Sequence, residues 1–309
     1  MPYPIDRKLV IAVASSALFD LTDSHKVFKK NGVEAYKKYQ EENIDNFFPK
    51  GVAFPFVKRL LNLNNVFKEQ QPIEVVLLSR NSPETGLRAF RSIKHYDLNI
   101  SRAAFFSGES PYEYLPAFNA SLFLSAEEED VKNAIEAGFA GGRVLNKTVI
   151  DDEEDNELRL AFDFDGVIAN DEAEIVYQDS HDLGKYHAHE VTHAHEPLKE
   201  GPLGDLLKKI SYFQKLENKM MKKNPEYKRI LKTAIVTARN APSHERMIYT
   251  LKNMGVEVNQ AFFLGAIDKS RVLNIMKPHM FFDDQMGHLE HIDKVPAVHI
   301  PFGIINRKK

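Results

Sequence analysis

The sequence predicts an α/β protein built from two tandem parallel-sheet domains. Short strings recur in the same order in both halves of the chain. RNSP at 80–83 returns as RNAP at 239–242, and AFFSG at 104–108 returns as AFFLG at 261–265. Such self-similarity indicates a duplicated unit. Apolar, β-branched runs such as IEVVLLS at 73–79 come before polar loops, which is typical of buried parallel strands.

The same elements are expected in each half, in the same order. In the first half we expect strands within 9–20, 73–79, 104–108 and 120–125, and helices at 52–62, 84–95 and 127–137. In the second half we expect strands within 158–169, 231–238, 261–265 and 279–284, and helices at 202–217, 243–254 and 269–276. Strands that alternate with helices predict a Rossmann-like sheet. The predicted domains are 1–150 and 151–309.

Composition excludes several kinds of site and partner. The 309 residues contain no cysteine, so disulfides, thiolate metal sites and cysteine nucleophiles are excluded. The net charge of −3 provides no general attraction to nucleic acid or to an anionic membrane. The apolar run at 9–19 is too short to span a bilayer, and we interpret it as a buried strand rather than a signal-peptide core. We expect a cytoplasmic protein, and a homo-oligomer is left open.

The two halves differ at the ends of their strands, where an open parallel sheet binds its ligands. In the second half these positions hold Asp163, Asp165, Thr237, Asp283 and Asp284, with Lys269 at the start of a helix. In the first half the aligned residues are Ala14, Ser16, Leu78, Leu124, Ser125 and Tyr112. We therefore expect the second half to carry chemistry and the first half to be catalytically degenerate.

The strand-end residues of the second half suit phosphate chemistry. Buried carboxylates are costly unless they are paired or bind a cation, and an all-oxygen set suits Mg²⁺. The four strand-end aspartates are therefore a predicted Mg²⁺ site. The hydroxyl of Thr237 and the charge of Lys269 suit a phosphate beside the metal. One carboxylate can then attack phosphorus, and a second, two residues on, can move the proton.

The sequence also resembles a known family. DFDGV at 163–167, followed by Thr237, Lys269 and the Asp283–Asp284 pair, resembles the four motifs of the haloacid dehalogenase superfamily. The likeness to the type I cytosolic 5′-nucleotidases, an AMP-preferring family, extends to the segments GVAFPFVKRLLNLN at 51–64, HYDLNISRAAFFSGESP at 95–111, LFLSAEEEDVKNAI at 122–135, EGPLGDLL at 200–207, IVTARNAPS at 235–243 and FFDDQMGHL at 281–289. Phe164 is a departure, because it stands where animal members carry a small residue.

The resemblance implies a haloacid-dehalogenase-like second domain with a small cap insert at about 170–200. It implies that Asp163 attacks the phosphate of a nucleoside monophosphate, with AMP first, to form an aspartyl phosphate. Asp165 would protonate the leaving ribose oxygen and then activate water. Mg²⁺ would be held by Asp163, the carbonyl of Asp165, and Asp283 or Asp284, while Thr237 and Lys269 hold the phosphate.

Further substrate contacts are expected from Phe164, Ala238, Arg239, His189, Glu190 and His193. The first half would brace the second, complete its pocket, or hold an effector nucleotide such as ADP or ATP.

Three alternatives remain open. The first is a phosphatase of the same superfamily that acts on another small phosphate ester. The second is a nucleotide-binding regulator without catalysis. The third is a zinc protease, because HEVTH at 189–193 is a literal H-E-x-x-H. Its flanks lack the apolar periodicity of a buried helix, so we prefer a polar segment that contacts the nucleotide or is structural.

Overall fold

Apolar runs form the parallel strands of the computed structural model, which describes residues 3–145 and 151–307. The chain divides into two units, Met1–Asp151 and Asp152–Lys309, called unit 1 and unit 2 below. Among the described residues, none of the helices combines the length and the apolar character that crossing a membrane requires.

Unit 1 has a five-stranded sheet in the order β3-β2-β1-β4-β5, with parallel neighbours throughout. Its strands are β1 (Leu9–Val13), β2 (Ile73–Ser79), β3 (Arg102–Phe105), β4 (Ala120–Ser125) and β5 (Gly141–Val144). Its helices are α1 (Ser15–Leu18), α2 (Thr22–Glu42), α3 (Phe54–Val66), α4 (Pro83–His95) and α5 (Glu128–Glu136). Every residue of β1 and β2 is buried, as expected for central strands.

Unit 2 repeats this arrangement, with the order β8-β7-β6-β9-β10 and parallel pairs. Its strands are β6 (Leu158–Phe162), β7 (Leu231–Thr237), β8 (Gln260–Phe263), β9 (Met280–Asp283) and β10 (Ala297–His299). Its helices are α6 (Glu172–Ser180), α7 (Leu183–Thr192), α8 (Gly204–Lys223), α9 (His244–Asn253), α10 (Ser270–Met276) and α11 (Met286–Leu289). In both units, the first strand lies between the second and the fourth, which is the strand order of doubly wound sheets.

The predicted α/β class and parallel pairing are confirmed, and so is the buried strand within 9–19. Sequence patterns missed α2, α6 and α7. The reason is visible in α2, where Ser24 and Gln40 are the buried residues among 21, so the helix has no apolar stripe. The strands β5 and β10 were also missed, because they are short and follow the last string that repeats.

Hydrogen bonds at the strand ends identify which residues of the two units correspond. The amide of Phe106 donates to the carbonyl of Ser79 over 3.0 Å, and the amide of Leu264 donates to the carbonyl of Thr237 over 3.0 Å. Ser79 and Thr237 therefore occupy the same place. The aligned residue expected from the sequence, Leu78, is wrong by one position. Because side chains alternate along a strand, that shift would select the opposite face of the sheet.

The same correction applies at the fourth strand. The amide of Glu127 donates to Ser125 Oγ over 3.1 Å, and the amide of Gln285 donates to Asp283 Oδ1 over 2.8 Å. Ser125 thus corresponds to Asp283, and the next residue, Ala126, corresponds to Asp284. The predicted pairing of Leu124 with this dyad is wrong.

A broken helical segment follows the first strand in both units. In unit 1, α2 is interrupted at Gly32, whose φ of 78° and ψ of −171° are not helical. A side chain there would be strained, so glycine suits the break. In unit 2, α6 ends at Ser180, His181 adopts a left-handed φ of 49°, and α7 begins at Leu183.

An arginine ties each broken segment to the helix that follows the second strand. Arg88 Nη1 donates to Gln40 Oε1 over 3.0 Å, and Arg246 Nη1 donates to Glu190 Oε1 over 2.9 Å. Glu190 also binds a second guanidinium, that of Arg239. In unit 1 the arginine therefore contacts a neutral amide group, whereas in unit 2 the arginine belongs to a buried network of ion pairs.

Replacing Glu190 by leucine should lower the free energy of unfolding by about 3–5 kcal/mol, because Arg239 and Arg246 are then buried without this carboxylate. Chemical denaturation measures the change. The matched control is Glu172→Leu. The Glu172 carboxylate lies 2.7 Å from Arg246, but the Glu172 side chain is 40% exposed. This control should cost less than about 1 kcal/mol. Equal losses in the two variants would contradict the account of the network.

Candidate functional site

The carboxyl ends of three neighbouring strands in unit 2 bring polar side chains together. Asp163 follows β6 directly, Thr237 is the last residue of β7, and Asp283 is the last residue of β9. Their exposed fractions are 3%, 1% and 0%. Because β6 lies between β9 and β7, these residues meet at one edge of the sheet, where doubly wound folds bind ligands.

Lys269 joins two of the buried aspartates. Its Nζ lies 3.0 Å from Asp163 Oδ2 and 2.7 Å from Asp283 Oδ2. Burial alone would lower the pKa of Lys269, but the charges of Asp163 and Asp283 outweigh burial and raise the pKa above its ordinary value. The side chain is therefore a fixed cation at the strand ends.

One ammonium group does not neutralise the carboxylates around it. Burial raises the pKa of Asp163 to about 6, against the opposing charge of Lys269. Burial, together with the charges of Asp163 and Asp283, also raises the pKa of Asp284 well above its ordinary value. The pKa of Asp283 is lowered, because Lys269 and His288 outweigh the effect of burial. The cluster consequently favours additional positive charge.

The buried oxygens of this cluster fit a divalent cation. Asp163 Oδ1 and Asp284 Oδ1 are buried and have no hydrogen-bond partner among residues 3–145 and 151–307. Asp163, Asp283 and His288 each offer one ligand atom, and these atoms lie within 4.8 Å of one another. A cation here would satisfy acceptors that otherwise lack a donor.

His288 is the member of this cluster that the sequence did not predict. Its Nδ1 lies 3.2 Å from each carboxylate oxygen of Asp283. The expectation of an all-oxygen group is therefore incomplete. The available signal was the position of His288 on α11, one helical turn beyond the strand-end aspartates.

Asp284 is held against the turn that follows β6. A Cβ atom on Gly166 would lie 2.3 Å from Asp284 Oδ2, and Gly166 has a φ of 72°. The close approach and the left-handed backbone both require glycine. His299 Nε2 and Asn306 Nδ2 lie 3.1 and 2.8 Å from the carbonyl oxygen of Asp284. These contacts fix the backbone of Asp284 at the edge of the site.

Arg239 orients Asp165 through a bidentate ion pair. Arg239 Nε lies 2.7 Å from Asp165 Oδ2, and Nη2 lies 2.7 Å from Oδ1. The Arg239 amide donates to Thr237 Oγ1 over 3.2 Å. Phe164 is fully buried, with its ring centroid 5.3 Å from the guanidinium carbon. Burial would lower the pKa of Arg239, but the charge of Asp165 outweighs burial and raises it.

Residues 189–192 of the H-E-x-x-H motif are the last residues of α7, despite the polar flanks of the motif, and His193 is the C-cap of this helix. The rings of His189 and His193 stack with centroids 4.2 Å apart, and His193 Nδ1 lies 2.8 Å from the carbonyl oxygen of His189. Glu190 is 1% exposed and points inward, where its two carboxylate oxygens bind Arg239 and Arg246. A zinc protease needs this glutamate free to act on water, so the geometry does not favour that alternative.

The structure thus separates the predicted residues into three groups. Asp163, Lys269, Asp283 and Asp284 form the buried cluster. Asp165, Arg239 and Glu190 form the adjoining ion-pair network, and Thr237 joins it by accepting a hydrogen bond from the amide of Arg239. The remaining predicted substrate contacts are an exposed Ala238, a buried Phe164, and the partly exposed His189 and His193.

Comparison with known proteins places these observations in a family. A family model described as 5′-nucleotidase matches residues 1–307. Human "Cytosolic 5′-nucleotidase 1B" is 34% identical over 305 residues, which are 96% of this chain and 49% of that protein. The chain therefore spans about half the length of this curated relative.

One solved structure, described as an S. aureus MnaA-UDP co-structure, is 9% identical over 93% of this chain and 76% of its own. Its TM-score of 0.19 is too low to carry an argument. The family match, in contrast, runs through both units and includes every strand end described above. The chain belongs to the 5′-nucleotidase family.

Proposed function

We propose that unit 2 hydrolyses nucleoside 5′-monophosphates, with AMP as the first substrate, in a Mg²⁺-dependent reaction. The observation that carries the proposal is Asp163, a buried strand-end carboxylate that Lys269 holds on one oxygen and that keeps its other oxygen unbonded. Membership of the family and the name of the human relative support the substrate class. That name also supports the predicted cytoplasmic location.

In the first step, the Asp163 carboxylate attacks phosphorus. A bond forms between a carboxylate oxygen and phosphorus while the bond from phosphorus to the ribose oxygen breaks. Asp165 delivers a proton to the departing ribose oxygen, and the products are an aspartyl phosphate and a nucleoside. Lys269 and the hydroxyl of Thr237 offset the charge that builds on the phosphoryl oxygens.

In the second step, water attacks the aspartyl phosphate. Asp165 accepts the proton of this water, the bond between Asp163 and phosphorus breaks, and inorganic phosphate leaves. Both steps require Asp165 to face the same reacting atoms. In the structure Arg239 holds both carboxylate oxygens of Asp165, so the proposed proton transfers require one of these two contacts to open when substrate binds. Arg239 is therefore proposed to position Asp165, whereas its contact with substrate stays a prediction.

Mg²⁺ would be held by Asp163, the carbonyl of Asp165, and Asp283 or Asp284. When bound, it supplies Lewis-acid stabilisation of the phosphoryl charge. Because Mg²⁺ prefers oxygen ligands, His288 is better suited to orient Asp283 than to ligate the ion. Asp284, with an unbonded buried oxygen, is the better candidate for the direct ligand of the dyad.

Unit 1 is proposed to be catalytically inert. The positions that correspond to Asp163, Asp283 and Asp284 hold Ala14, Ser125 and Ala126. None of these three side chains can form an aspartyl phosphate or bind Mg²⁺ through a carboxylate. The binding of an effector nucleotide by unit 1 and the formation of a homo-oligomer stay predictions.

Phosphate release from a panel of nucleoside 5′-monophosphates tests the proposal. With Mg²⁺ present, AMP should be hydrolysed, and Asp163→Asn should lower kcat by about 10³-fold or more, because it removes the nucleophile. The matched control is Asp205→Asn, which changes an exposed aspartate on α8 and should leave kcat unchanged.

Each other result identifies an alternative. Phosphate release from other phosphate esters but from no nucleotide would favour a phosphatase of the same superfamily that acts on another small phosphate ester. Nucleotide binding without release would favour the regulator. Turnover by Asp163→Asn equal to that of the unmodified chain would contradict the mechanism.

Metal dependence provides a separate prediction. EDTA should abolish phosphate release, and added Mg²⁺ should restore it. Asp284→Asn should raise the Mg²⁺ concentration needed for half-maximal rate by at least about tenfold, because a buried carboxylate is lost. Asp205→Asn again serves as the control. An unchanged Mg²⁺ requirement in Asp284→Asn would show that Asp284 does not ligate the ion.

A further inference from the structure

A cavity of about 470 Å³ lies at the carboxyl edge of the sheet in unit 1. Its floor includes Ser15, Ser16, Ser79 and Ser125, which follow or end the strands β1, β2 and β4. This is the place in unit 1 that corresponds to the carboxylate cluster of unit 2. Its volume is within the usual range for small-molecule sites.

The floor offers neutral hydrogen-bonding groups. Ser15 Oγ lies 2.7 Å from Ser79 Oγ, and Asn81 Nδ2 donates to Ser15 Oγ over 3.3 Å. Ser125 Oγ accepts from the amide of Glu127 over 3.1 Å. A hydroxyl has one donor and two acceptor sites, so these contacts leave unused sites on the serines, and Ser16 is partly exposed to the cavity. Sugar hydroxyls, which both donate and accept, match such a surface.

The charged side chains at the rim are paired with opposite charges. Arg80 Nε lies 2.9 and 3.1 Å from the two carboxylate oxygens of Asp130. Lys37 lies 3.2 Å from Glu34. His25 lies 3.8 Å from Glu127, a pair that is charged when the imidazole is protonated. A phosphate here would have to share these cations with the carboxylates that already pair with them, whereas an uncharged ligand would not.

One wall of the cavity is aromatic and apolar. Phe28 and Tyr36 of α2 pack edge to face, with ring centroids 5.9 Å apart. The Tyr36 hydroxyl donates to Asn81 Oδ1 over 2.8 Å, which ties the wall to the floor. Phe28 is 44% exposed and Val33 is 52% exposed, so apolar surface is available beside the serines. A flat aromatic group would cover this surface.

We propose that the cavity of unit 1 binds a nucleoside, with its base against Phe28 and its sugar hydroxyls on the serine floor. The site is formed by unit 1 alone and needs neither a metal nor turnover in unit 2. A nucleoside is also the class of product that the proposed reaction of unit 2 releases. Unit 1 would therefore respond to the product rather than to the phosphate that accompanies it.

Calorimetric titration of adenosine into the full chain tests this proposal. Phe28→Ala should weaken binding about tenfold, because a base loses its stacking partner. Leu87→Ala, which truncates a 49% exposed side chain on α4 that does not line the cavity, is the matched control and should leave binding unchanged. In Ser16→Phe the larger side chain would occupy the floor of the cavity. This variant should abolish the part of the adenosine binding that Phe28→Ala weakens. The melting temperature of each variant verifies its fold.

Two results would overturn the proposal. One is adenosine binding that is absent, or that is the same in Phe28→Ala, Ser16→Phe and the unmodified chain. The other is competition by inorganic phosphate for the component that Phe28→Ala weakens, because the cavity would then be an anion site. Neither result depends on catalysis, so failure here is distinguishable from failure of the proposed hydrolysis.

Discussion

Three buried carboxylates, those of Asp163, Asp283 and Asp284, lie near one buried ammonium group, that of Lys269. The carboxylates outnumber the ammonium group, and this excess of negative charge limits what the site can bind. Buried charges without partners are destabilising, so the cluster requires a cation or protons. The turn at Gly166 and the contacts to the Asp284 carbonyl hold Asp284 in place without neutralising its carboxylate. We propose that a divalent cation and a phosphate ester complete this site, which is the basis of the proposed hydrolysis of nucleoside monophosphates.

The two units show how side chains at the strand ends decide chemistry on one scaffold. Both units have the same strand order and the same broken helical segment tied by an arginine. Unit 2 places Glu190 where unit 1 places Gln40, and it places Arg239 where unit 1 places Asn81, because the amides of both residues donate to the last hydroxyl of the second strand. The charged network of unit 2 orients Asp165, whereas the neutral contacts of unit 1 border a cavity of hydroxyl groups. Fold alone therefore does not assign a function to either unit.

Sequence patterns predicted eight of the ten described strands, all but β5 and β10, and they predicted the aspartates, because buried parallel strands are apolar and a charged residue at their end stands out. They did not predict α2, α6 and α7, whose polar sequences carry no apolar stripe. Matching RNSP to RNAP misplaced Leu78 by one residue, because similar letters do not define a hydrogen-bond register. The inward orientation of Glu190 and the contact of His288 with Asp283 depend on tertiary packing. No local pattern contains that information.

Trapping the phosphorylated protein tests the central claim most directly. AMP labelled in its phosphate would be mixed with the full chain and Mg²⁺, quenched in acid within one turnover, and the peptides analysed by mass spectrometry. The account predicts one labelled phosphate on the peptide that contains Asp163, and none in Asp163→Asn. Rapid phosphate release without any labelled peptide, and with equal rates in Asp163→Asn, would contradict it.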